Sequence, residues 1–497
     1  MTRQTSRPAK GAAPYSVLII GSGFGGLGMA IRLKQAGNDS FAILEKEQDV
    51  GGCWRDNTYP GAACDVPSHL YSFSFEPKTD WSRKYAPQPE IHAYLRGCAD
   101  KYGLNEHIHF GTEVDSAEFD QARGIWVVRT KNRKRFEAQT VVSACGQLNR
   151  PAYPNIAGLD RFQGEQFHSA RWNHDVDLSG KTVAVIGTGA SAIQFVPQIA
   201  GKVDKLYVYQ RNAPYVIPKP DRRYSRVERE LFSRVPALQR VDRAAQYVGH
   251  EVRALAFTQF SSLLKPYAWW SRKFMERHVA DPGVREKLQP NYPIGCKRLL
   301  ISNDWFEAIA RPNVEVIDDR VQEVTAEGVR TADGIERKVD VIIFGTGFQA
   351  TDFLAPMKIH GVDGLELNQA WRDGAEAYLG MTVAGFPNLF ILYGPNTNLG
   401  HSSIVYMLES QINYVMQGVE RLRQGDIRWL DVKPGVQQRF NEKLQQRIKH
   451  TVWDQGCTSW YQTADGRNTN NWPGFTFEYR ARTRALDFGD YQLQPAA

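Results

Sequence analysis

The chain has 497 residues, of which 42% are hydrophobic and 23% are charged, and its formal net charge is +7. These values are typical of a globular protein of two or three domains. No run of five like charges and no segment of 18 apolar residues occurs, so neither nucleic-acid binding nor a transmembrane helix is expected. The mild, diffuse excess of Lys and Arg would suit an anionic small molecule such as a phosphorylated cofactor.

The N-terminal residues 1–14 are polar and basic and lack the apolar core of a secretory signal, which predicts a disordered leader. No Cys or His spacing typical of a metal site occurs. The cysteines are widely scattered and form no CxxC pair, which favours free thiols in a reducing compartment and a cytoplasmic protein. These six are Cys53, Cys64, Cys98, Cys145, Cys296 and Cys457.

The first nucleotide-binding pattern begins at Ser16 with the apolar run SVLII, followed by the turn GSGFGG, a helix and a second strand. In a GxGxxG turn, Gly21 permits the tight bend and Gly23 lets the backbone approach a pyrophosphate. Gly26 allows close packing of helix on strand, and the phosphates lie at the helix N-terminus. Glu45, 24 positions after Gly21, would accept hydrogen bonds from a ribose hydroxyl and repel a 2′-phosphate. This first site therefore predicts FAD or NAD.

Further along, GIWVVRTKN and RFEAQTVVSACG predict a hairpin and a returning strand, and FQGEQFHSARWNHD at residues 162–175 is interpreted as a linker. The second pattern, KTVAVIGTGASA, contains a GxGxxA turn that starts at Gly187. Arg211 lies 24 positions after this glycine, where a cation pairs with a 2′-phosphate, so the site predicts NADP. Two such sites indicate an enzyme that passes hydride from NADPH to bound FAD. The alternative is that Glu45 or Arg211 is a solvated surface charge.

Residues 221–288 are rich in Arg, Glu, Leu and aromatic side chains at helical spacing. The segment LKPYAWWSRKFMERHV predicts a helix that packs on its own protein, with a membrane-surface helix as the alternative. RKVDVIIFGTGF predicts a strand near residue 340, which we expect in one sheet with the first pattern and the strand near 140. Two more helices are predicted in IVYMLESQINYVMQGVERLRQ and VQQRFNEKLQQRIKHTVW.

The predicted fold class is α/β, with two Rossmann-like dinucleotide-binding domains, the second inserted in the first, and an added helical subdomain. The predicted divisions are a leader (1–14), an FAD-binding domain (15–155), an NADP-binding domain (156–220), a helical insertion (221–290), the rest of the NADP-binding domain (291–338), and the rest of the FAD-binding domain with a C-terminal segment at the substrate site (339–497).

Phe162, Gly164, His168 and Trp172 form FxGxxxHxxxW directly before the second glycine turn. This pattern resembles the fingerprint of type I Baeyer–Villiger monooxygenases, a branch of the class B flavoprotein monooxygenases. The resemblance runs from about residue 16 to residue 473 and includes GGCWRDNTYPGAACDVPSHLYSFSF, YPIGCKRL, DVIIFGTGF and FPNLFILYGPNTNLGHSS. Asn173 stands where the family usually has Pro or Asp. Related enzymes that oxidise nitrogen or sulfur usually lack the Trp.

The resemblance implies roles for particular residues. Arg298, in GCKRL, matches the active-site arginine, which stabilises a deprotonated flavin C4a-peroxide and the oxyanion adduct, and Asp65 matches the carboxylate that orients it. The alternatives are a surface ion pair for Arg298 and a cap for Asp65. His168 and Trp172 are implied to couple domain movement, the alternative being plain packing.

The resemblance and the two turns together assign cofactor contacts, of which Lys297 would be a second 2′-phosphate contact or, alternatively, a solvated lysine. Tyr59 and Asp352 are also placed near the flavin. The predicted cofactor-binding residues are Gly21, Gly23, Phe24, Gly26, Glu45, Lys46, Gly52, Trp54, Asp65, Tyr71, Gly187, Thr188, Gly189, Ala190, Ser191, Arg211, Lys297, Arg298 and Asn396.

The resemblance implies a monooxygenase that uses NADPH and O2 to turn a ketone into an ester or lactone, with linear aliphatic or aryl ketones favoured by the segment after Cys457. The alternative in the same cofactor class is oxidation of sulfur or nitrogen in small molecules. The alternative from another class is a two-nucleotide disulfide reductase or a plain NADPH oxidase. The disulfide reductase is disfavoured because Cys53 and Cys64 form no CxxC or CxxxxC pair. A monomer or homodimer without stable membrane insertion is expected.

Overall fold

The computed structural model describes residues 13–496. Except for its last two positions, the leader predicted over residues 1–14 lies outside the described residues. The strands, numbered in chain order, are β1 Tyr15–Ile20, β2 Phe41–Leu44, β3 Ile108–His109, β4 Val114–Asp120, β5 Ile125–Thr130, β6 Arg135–Ser143, β7 Glu165–His168, β8 Thr182–Ile186, β9 Lys205–Tyr209, β10 Val216–Ile217, β11 Leu300–Ile301, β12 Val314–Ile317, β13 Val321–Val324, β14 Gly328–Thr331, β15 Glu336–Lys338, β16 Val341–Phe344, β17 Lys358–His360, β18 Leu389–Ile391, β19 Ile427–Val432 and β20 Tyr491–Pro495.

The helices connect and cover these strands. They are α1 Phe24–Gln35, α2 Cys53–Asp56, α3 Gln88–Lys101, α4 Ala192–Ile199, α5 Arg226–Arg234, α6 Pro236–Glu251, α7 Ala254–Thr258, α8 Lys265–His278, α9 Pro282–Lys287, α10 Trp305–Ile309, α11 Leu367–Ala370, α12 Ile404–Arg423, α13 Pro434–Ile448 and α14 Thr476–Arg482. Among the described residues, no helix is both long enough and apolar enough to cross a membrane.

The first Rossmann unit is built on an eight-stranded sheet in the order β17-β4-β5-β6-β1-β2-β3, with β18 beside β6. Strand β1 lies between β2 and β6, parallel to both, and its residues from Val17 to Ile20 are buried. This burial explains the unbroken apolar run, because a central parallel strand is covered on both faces. The predicted hairpin and returning strand are confirmed as β5 and β6.

The second Rossmann unit has a five-stranded parallel sheet in the order β12-β9-β8-β16-β7. The strand predicted near residue 340 is β16, and it pairs with β8 and β7 in this sheet. Its expected place in the first sheet was therefore wrong. The glycine turn that follows β16 packs against the second nucleotide turn, since a Cβ on Gly187 would lie 2.4 Å from the carbonyl oxygen of Gly345.

Helices α5 to α9 form the helical insertion, and α12 and α13 confirm the two predicted C-terminal helices. The insertion contacts both neighbours. His69, from the first unit, pairs with Asp242 on α6 at 2.7 Å, whereas the buried Met275 of α8 joins the core of the second unit. The insertion therefore spans the two Rossmann units on one side of the molecule.

Cys296 and Cys457 form a disulfide across 161 residues, with their Cα atoms 6.3 Å apart. The expectation that all six cysteines are free thiols was wrong for this pair, because folding joins two cysteines whose sequence spacing forms no motif. Cys53, Cys64, Cys98 and Cys145 are free. The bridge ties the loop that carries Arg298 to the C-terminal segment.

Candidate active site

A cavity of about 610 Å³ lies beside the glycine turn of the first unit and receives residues from both Rossmann units. Its volume is in the range of small-molecule and cofactor sites. The wall includes Ser191 and Gln194 at the start of α4, Arg298 from the loop before β11, and Tyr393 after β18. Several segments that are distant in sequence therefore converge on one space.

The first glycine turn is shaped for close approach by a ligand. Gly21 has a φ of +99°, and a Cβ there would lie 2.9 Å from the carbonyl oxygen of Ala144. A Cβ on Gly26 would lie 1.9 Å from the carbonyl oxygen of Gly21, so the helix packs tightly on the turn. A Cβ on Gly23 would meet only the Cα of Gly52, at an ordinary van der Waals distance of 3.7 Å, and Gly23 begins α1 without a side-chain cap. The free N–H groups at the start of α1 at Phe24 fit a pyrophosphate.

Glu45 is 3% exposed, which rules out a solvated surface charge. One carboxylate oxygen accepts hydrogen bonds from the backbone N–H and the hydroxyl of Ser22, at 2.9 and 2.6 Å. The other accepts a hydrogen bond from the N–H of Glu47 and pairs with Arg55 at 3.0 Å. Glu45 thus braces the glycine turn, and Lys46 beside it lines the cavity.

An aromatic wall faces this turn. The indole N–H of Trp54 donates to the hydroxyl of Tyr71 at 3.2 Å, and the Tyr71 ring packs edge-on against Phe24 with centroids 5.2 Å apart. Gly52, with a φ of +55°, lies against Gly23. Burial raises the pKa of the Tyr71 hydroxyl well above its ordinary value. The wall is consistent with contact to a flat ring system.

The second glycine turn repeats this geometry. Gly187 has a φ of +109° and closes against Gly345, whereas a Cβ on Gly189 would meet no atom nearer than 3.9 Å. Ala190 and Ser191 follow, and α4 begins at Ala192. The Thr188 hydroxyl donates to the carbonyl of Asn212 at 3.4 Å, which ties the turn to the segment after β9.

Two cations meet beyond this turn. The Lys297 ammonium donates to Asn212 Oδ1 at 2.9 Å and lies 4.5 Å from the centroid of the Tyr292 ring. Burial, and then the charge of nearby Arg211, lower the pKa of Lys297. Arg211 itself is exposed. Two cations close enough for their charges to interact fit an anionic ligand group such as a 2′-phosphate.

Arg298 and Asp65, which are 233 positions apart, are hydrogen-bonded in the cavity wall, with the guanidinium Nη2 donating to Asp65 Oδ2. The charge of Asp65 raises the pKa of Arg298 against the opposing effect of burial. The Arg298 side chain keeps 37% of its surface accessible because it faces the open cavity. Tyr461 lies close by, and burial raises its pKa to about 12. The site thus presents a permanent cation to whatever fills the cavity.

A polar bridge between the two Rossmann units was missed from the sequence. Gln194 on α4 accepts hydrogen bonds from the Tyr59 hydroxyl at 3.0 Å and the Ala63 N–H at 3.3 Å, and donates to the Ala63 carbonyl at 3.1 Å. Burial raises the pKa of the Tyr59 hydroxyl to about 12. A polar residue in the otherwise apolar first turn of α4 was the signal available in the sequence.

The fingerprint stretch is not a free linker, because β7 lies in it and forms the edge of the second sheet beside β16. Gly164 is required, since a Cβ there would lie 2.4 Å from the carbonyl oxygen of Asp340. Phe162 is buried in the same unit. His168 is buried, and its Nδ1 accepts the Ala170 N–H at 3.1 Å.

The two ends of the stretch differ in their contacts. Burial lowers the pKa of His168 to about 4, which keeps the imidazole neutral at pH 7. Trp172 packs against Phe167 and Phe195, with centroids 5.2 and 5.3 Å apart. Because Phe195 is the neighbour of Gln194 on α4, Trp172 lies directly behind the bridge between the two units.

Asn396 does not line the cavity, contrary to its predicted place beside the flavin. Its side chain donates to the carbonyls of Asn468 and Asn471, at 2.9 and 3.2 Å, and so holds the C-terminal segment. Asn398, two positions later, lines the cavity, as does Asp352.

The sequence of this chain is similar to those of known proteins. Residues 18–256 match a family model described as pyridine nucleotide-disulphide oxidoreductase. The chain is 48% identical over 492 residues to a Baeyer–Villiger monooxygenase of Pseudomonas aeruginosa, an alignment that covers 98% of this chain and 93% of that protein. It is 46% identical over 483 residues to a Baeyer–Villiger monooxygenase of Streptomyces coelicolor, covering 97% and 93%.

Several solved structures resemble this protein over nearly its whole chain. An oxidized steroid monooxygenase bound to NADP matches with a TM-score of 0.87 and 30% identity, covering 97% of this chain and 100% of that one. A closed crystal structure of cyclohexanone monooxygenase matches with a TM-score of 0.88 and 28% identity over the same shares. A complex of OTEMO with FAD and NADP gives 0.86 and 28%, covering 96% and 99%.

Proposed function

Because the chain belongs to the Baeyer–Villiger monooxygenase family, we propose that it converts linear aliphatic or aryl ketones into esters, with Arg298 as its principal catalytic residue. It is an FAD-containing, NADPH-dependent monooxygenase, and sulfur or nitrogen oxidation is not favoured as its main activity. The observation that carries the proposal is the pair of Arg298 and Asp65 in the wall of the cavity beside the first glycine turn.

We propose that FAD binds at the first turn. Its diphosphate would contact the N–H groups from Gly23 onward, its ribose would contact Glu45, and Trp54 and Tyr71 would border the rings. The absence of a side chain at Gly23 and of a side-chain cap on α1 supports this placement. The chemistry that FAD supplies when bound is acceptance of hydride from NADPH and activation of dioxygen.

Arg298 acts on developing negative charge. When oxygen adds to the ketone carbon, charge accumulates on the former carbonyl oxygen, and a preorganised donor lowers the energy of that state. An arginine guanidinium stays protonated in proteins, and the charge of Asp65 raises the pKa of Arg298 further, so Arg298 acts as a fixed cation. Asp65 holds the plane of the guanidinium, so that less reorganisation is needed during the reaction. Asp65 is therefore an orienting residue and transfers no proton.

Substitution of Asp65 tests this role. Asp65→Ala is expected to lower ester formation about ten- to a hundred-fold, because it loses a charge-assisted hydrogen bond worth on the order of 1.5–3 kcal/mol. Asp65→Asn should lose less, since its amide oxygen still accepts a hydrogen bond from Arg298 but carries no charge. FAD content should remain that of the parent. NADPH oxidation should continue with release of hydrogen peroxide, so the ester formed per NADPH falls. Loss of FAD with a normal ester-to-NADPH ratio in the surviving holoenzyme would identify Asp65 as a structural cap.

We propose that Trp172 and His168 transmit movement between the units. Trp172 packs against Phe195 of α4, next to the bridge that Gln194 makes to Tyr59 and Ala63. The His168 ring packs against Tyr153 and Phe348, with centroids 5.5 and 6.0 Å apart. Trp172→Ala is expected to lower turnover while FAD content and the Kd for NADPH stay near those of the parent. Trp172→Phe, which keeps an aromatic contact to Phe195, should lose less. A lower Tm with unchanged kinetics would show that Trp172 only packs.

The substrate class is tested with holoenzyme, NADPH, oxygen and a panel of linear, aryl and cyclic ketones, with the products identified by mass. Support for apolar substrates comes from the aromatic side chains of Trp453, Trp460 and Tyr461, which pack in one cluster, and from the position of Tyr461 near Arg298. Esters from linear or aryl ketones are expected at the highest kcat/KM. A clear preference for cyclic ketones, or for sulfides and amines, would contradict the proposal.

A further inference from the structure

The helical insertion has an unusual surface. Of the fifteen large hydrophobic side chains that are exposed in the described part of the chain, eleven lie between residues 227 and 270. The same insertion, residues 221–290, contains 14 Lys and Arg and 8 Asp and Glu, so it carries +6 of the net charge of +7. Apolar exposure and positive charge are thus concentrated in one element, which marks it as a contact surface.

The outer face of α8 and the turn before it form the densest part of this surface. We name it the tryptophan patch and define it as Phe260, Leu263, Trp269 and Trp270, whose exposed fractions are 55%, 51%, 63% and 43%. The chain is helical without a break from residue 261 to 278. Leu263, Trp269 and Trp270 therefore lie near one side of one helical segment.

The charges around the tryptophan patch are mainly positive. Helix α8 contains Lys265, Arg272, Lys273 and Arg277 but one acidic residue, Glu276, so its net charge is +3. Arg272 and Lys273 share the Glu276 carboxylate, at 2.9 and 2.8 Å. A second copy of this chain would bring a second cationic helix against the first. An anionic surface would be attracted to it.

We propose that the tryptophan patch docks on the surface of an anionic phospholipid bilayer. Trp and Leu side chains enter the region between the headgroups and the acyl chains, while Lys and Arg beside them contact lipid phosphates. The helix lies on the bilayer and does not span it. Phe260 and Leu263 deepen the apolar contact, and the cations make it dependent on anionic lipid and on salt.

The inner face of the same helix leads toward the active site. Leu264, Tyr267 and Ala268 pack in one cluster with Trp453 and Tyr461. Burial raises the pKa of Tyr461, and the charge of nearby Arg298 opposes this effect. One helix therefore separates the proposed bilayer contact from the aromatic cluster that contains Tyr461. Docking would bring the enzyme to apolar ketones that partition into lipid.

The test is sedimentation of the FAD-loaded enzyme with vesicles of phosphatidylcholine alone or mixed with phosphatidylglycerol. We expect binding to the anionic vesicles, weak binding to the neutral ones, and loss of binding at high salt. Two variants probe the surface: Trp269→Ala with Trp270→Ala, and Lys265→Glu with Arg272→Glu and Lys273→Glu. Each should reduce vesicle affinity at least ~tenfold. Activity on a water-soluble ketone should not change in either variant.

Matched controls remove equivalent groups elsewhere. Ile335→Ala with Leu365→Ala removes exposed apolar side chains, and Lys131→Glu with Lys338→Glu and Arg372→Glu reverses three charges. Both controls should bind vesicles like the parent. The proposal is wrong if the parent ignores anionic vesicles, if neutral vesicles bind as well, or if controls and patch variants lose equally. It is also wrong if the parent forms a dimer that does not bind vesicles and if this dimer dissociates when both tryptophans are replaced.

Discussion

Arg298→Ala is expected to lower ester formation about a hundred- to a thousand-fold. Loss of one preorganised donor to a developing oxyanion typically costs about 2.7–4 kcal/mol of transition-state stabilisation. The Arg298 guanidinium faces the cavity, and Asp65 fixes its orientation. Product analysis with a linear ketone, in parallel with NADPH consumption, measures the effect. NADPH should still be consumed slowly, with hydrogen peroxide as the product.

Two controls show whether the loss of activity in Arg298→Ala is due to the guanidinium: the variant Arg298→Lys and the FAD content. Arg298→Lys should recover little activity, since an ammonium cannot reproduce the planar arrangement of donors toward Asp65 and the substrate. FAD should remain bound in both variants, because its diphosphate is assigned to the turn at Gly21 and Gly23. Ester formation by Arg298→Ala near the parental rate would show that the catalytic site lies elsewhere.

Arg211→Ala is expected to lower kcat/KM for NADPH about ten- to a hundred-fold and to leave NADH almost unaffected. A charged hydrogen bond to the 2′-phosphate is worth on the order of 1.5–3 kcal/mol, and NADH has no such phosphate. Lys297→Ala should act in the same direction, since Lys297 lies close enough to Arg211 for their charges to interact.

The control is Arg320→Ala, another exposed arginine of the same Rossmann unit. It should leave the ratio of NADPH to NADH activity unchanged. If Arg211→Ala lowers the activity with both nucleotides equally, Arg211 has a structural role and the 2′-phosphate contact has been assigned to the wrong residue.

Local sequence patterns were sufficient to predict the cores of both Rossmann units. The apolar runs that became β1 and β8, the glycine turns after them and the equal offsets of Glu45 and Arg211 are short-range features, set by packing and backbone geometry within about 30 residues. They defined the fold class before any tertiary contact was known. The family resemblance then paired Asp65 with Arg298, which no local pattern links across 233 positions.

The predictions that were wrong or missing depend on contacts between segments that are distant in the sequence. The runs VVSACG and VIIFGTG have the same pattern, an apolar strand before a glycine turn, so periodicity could not reveal that β6 and β16 belong to different sheets. The polar stretch before β7 suggested a linker because an edge strand with exposed residues lacks a strong apolar run. The contacts of Gln194 and the partner of Cys296 depend on segments that meet only after folding.

The disulfide between Cys296 and Cys457 makes the chain a closed covalent ring over a third of its length. The ring begins in the second Rossmann unit, passes through β17 and β18 of the first, and ends in the C-terminal segment. A protease that cuts any one loop inside this ring leaves the pieces joined, so the nicked protein keeps its mass until a thiol reductant is added. The arginine loop and the segment beside Tyr461 therefore stay covalently attached to each other after such a cut.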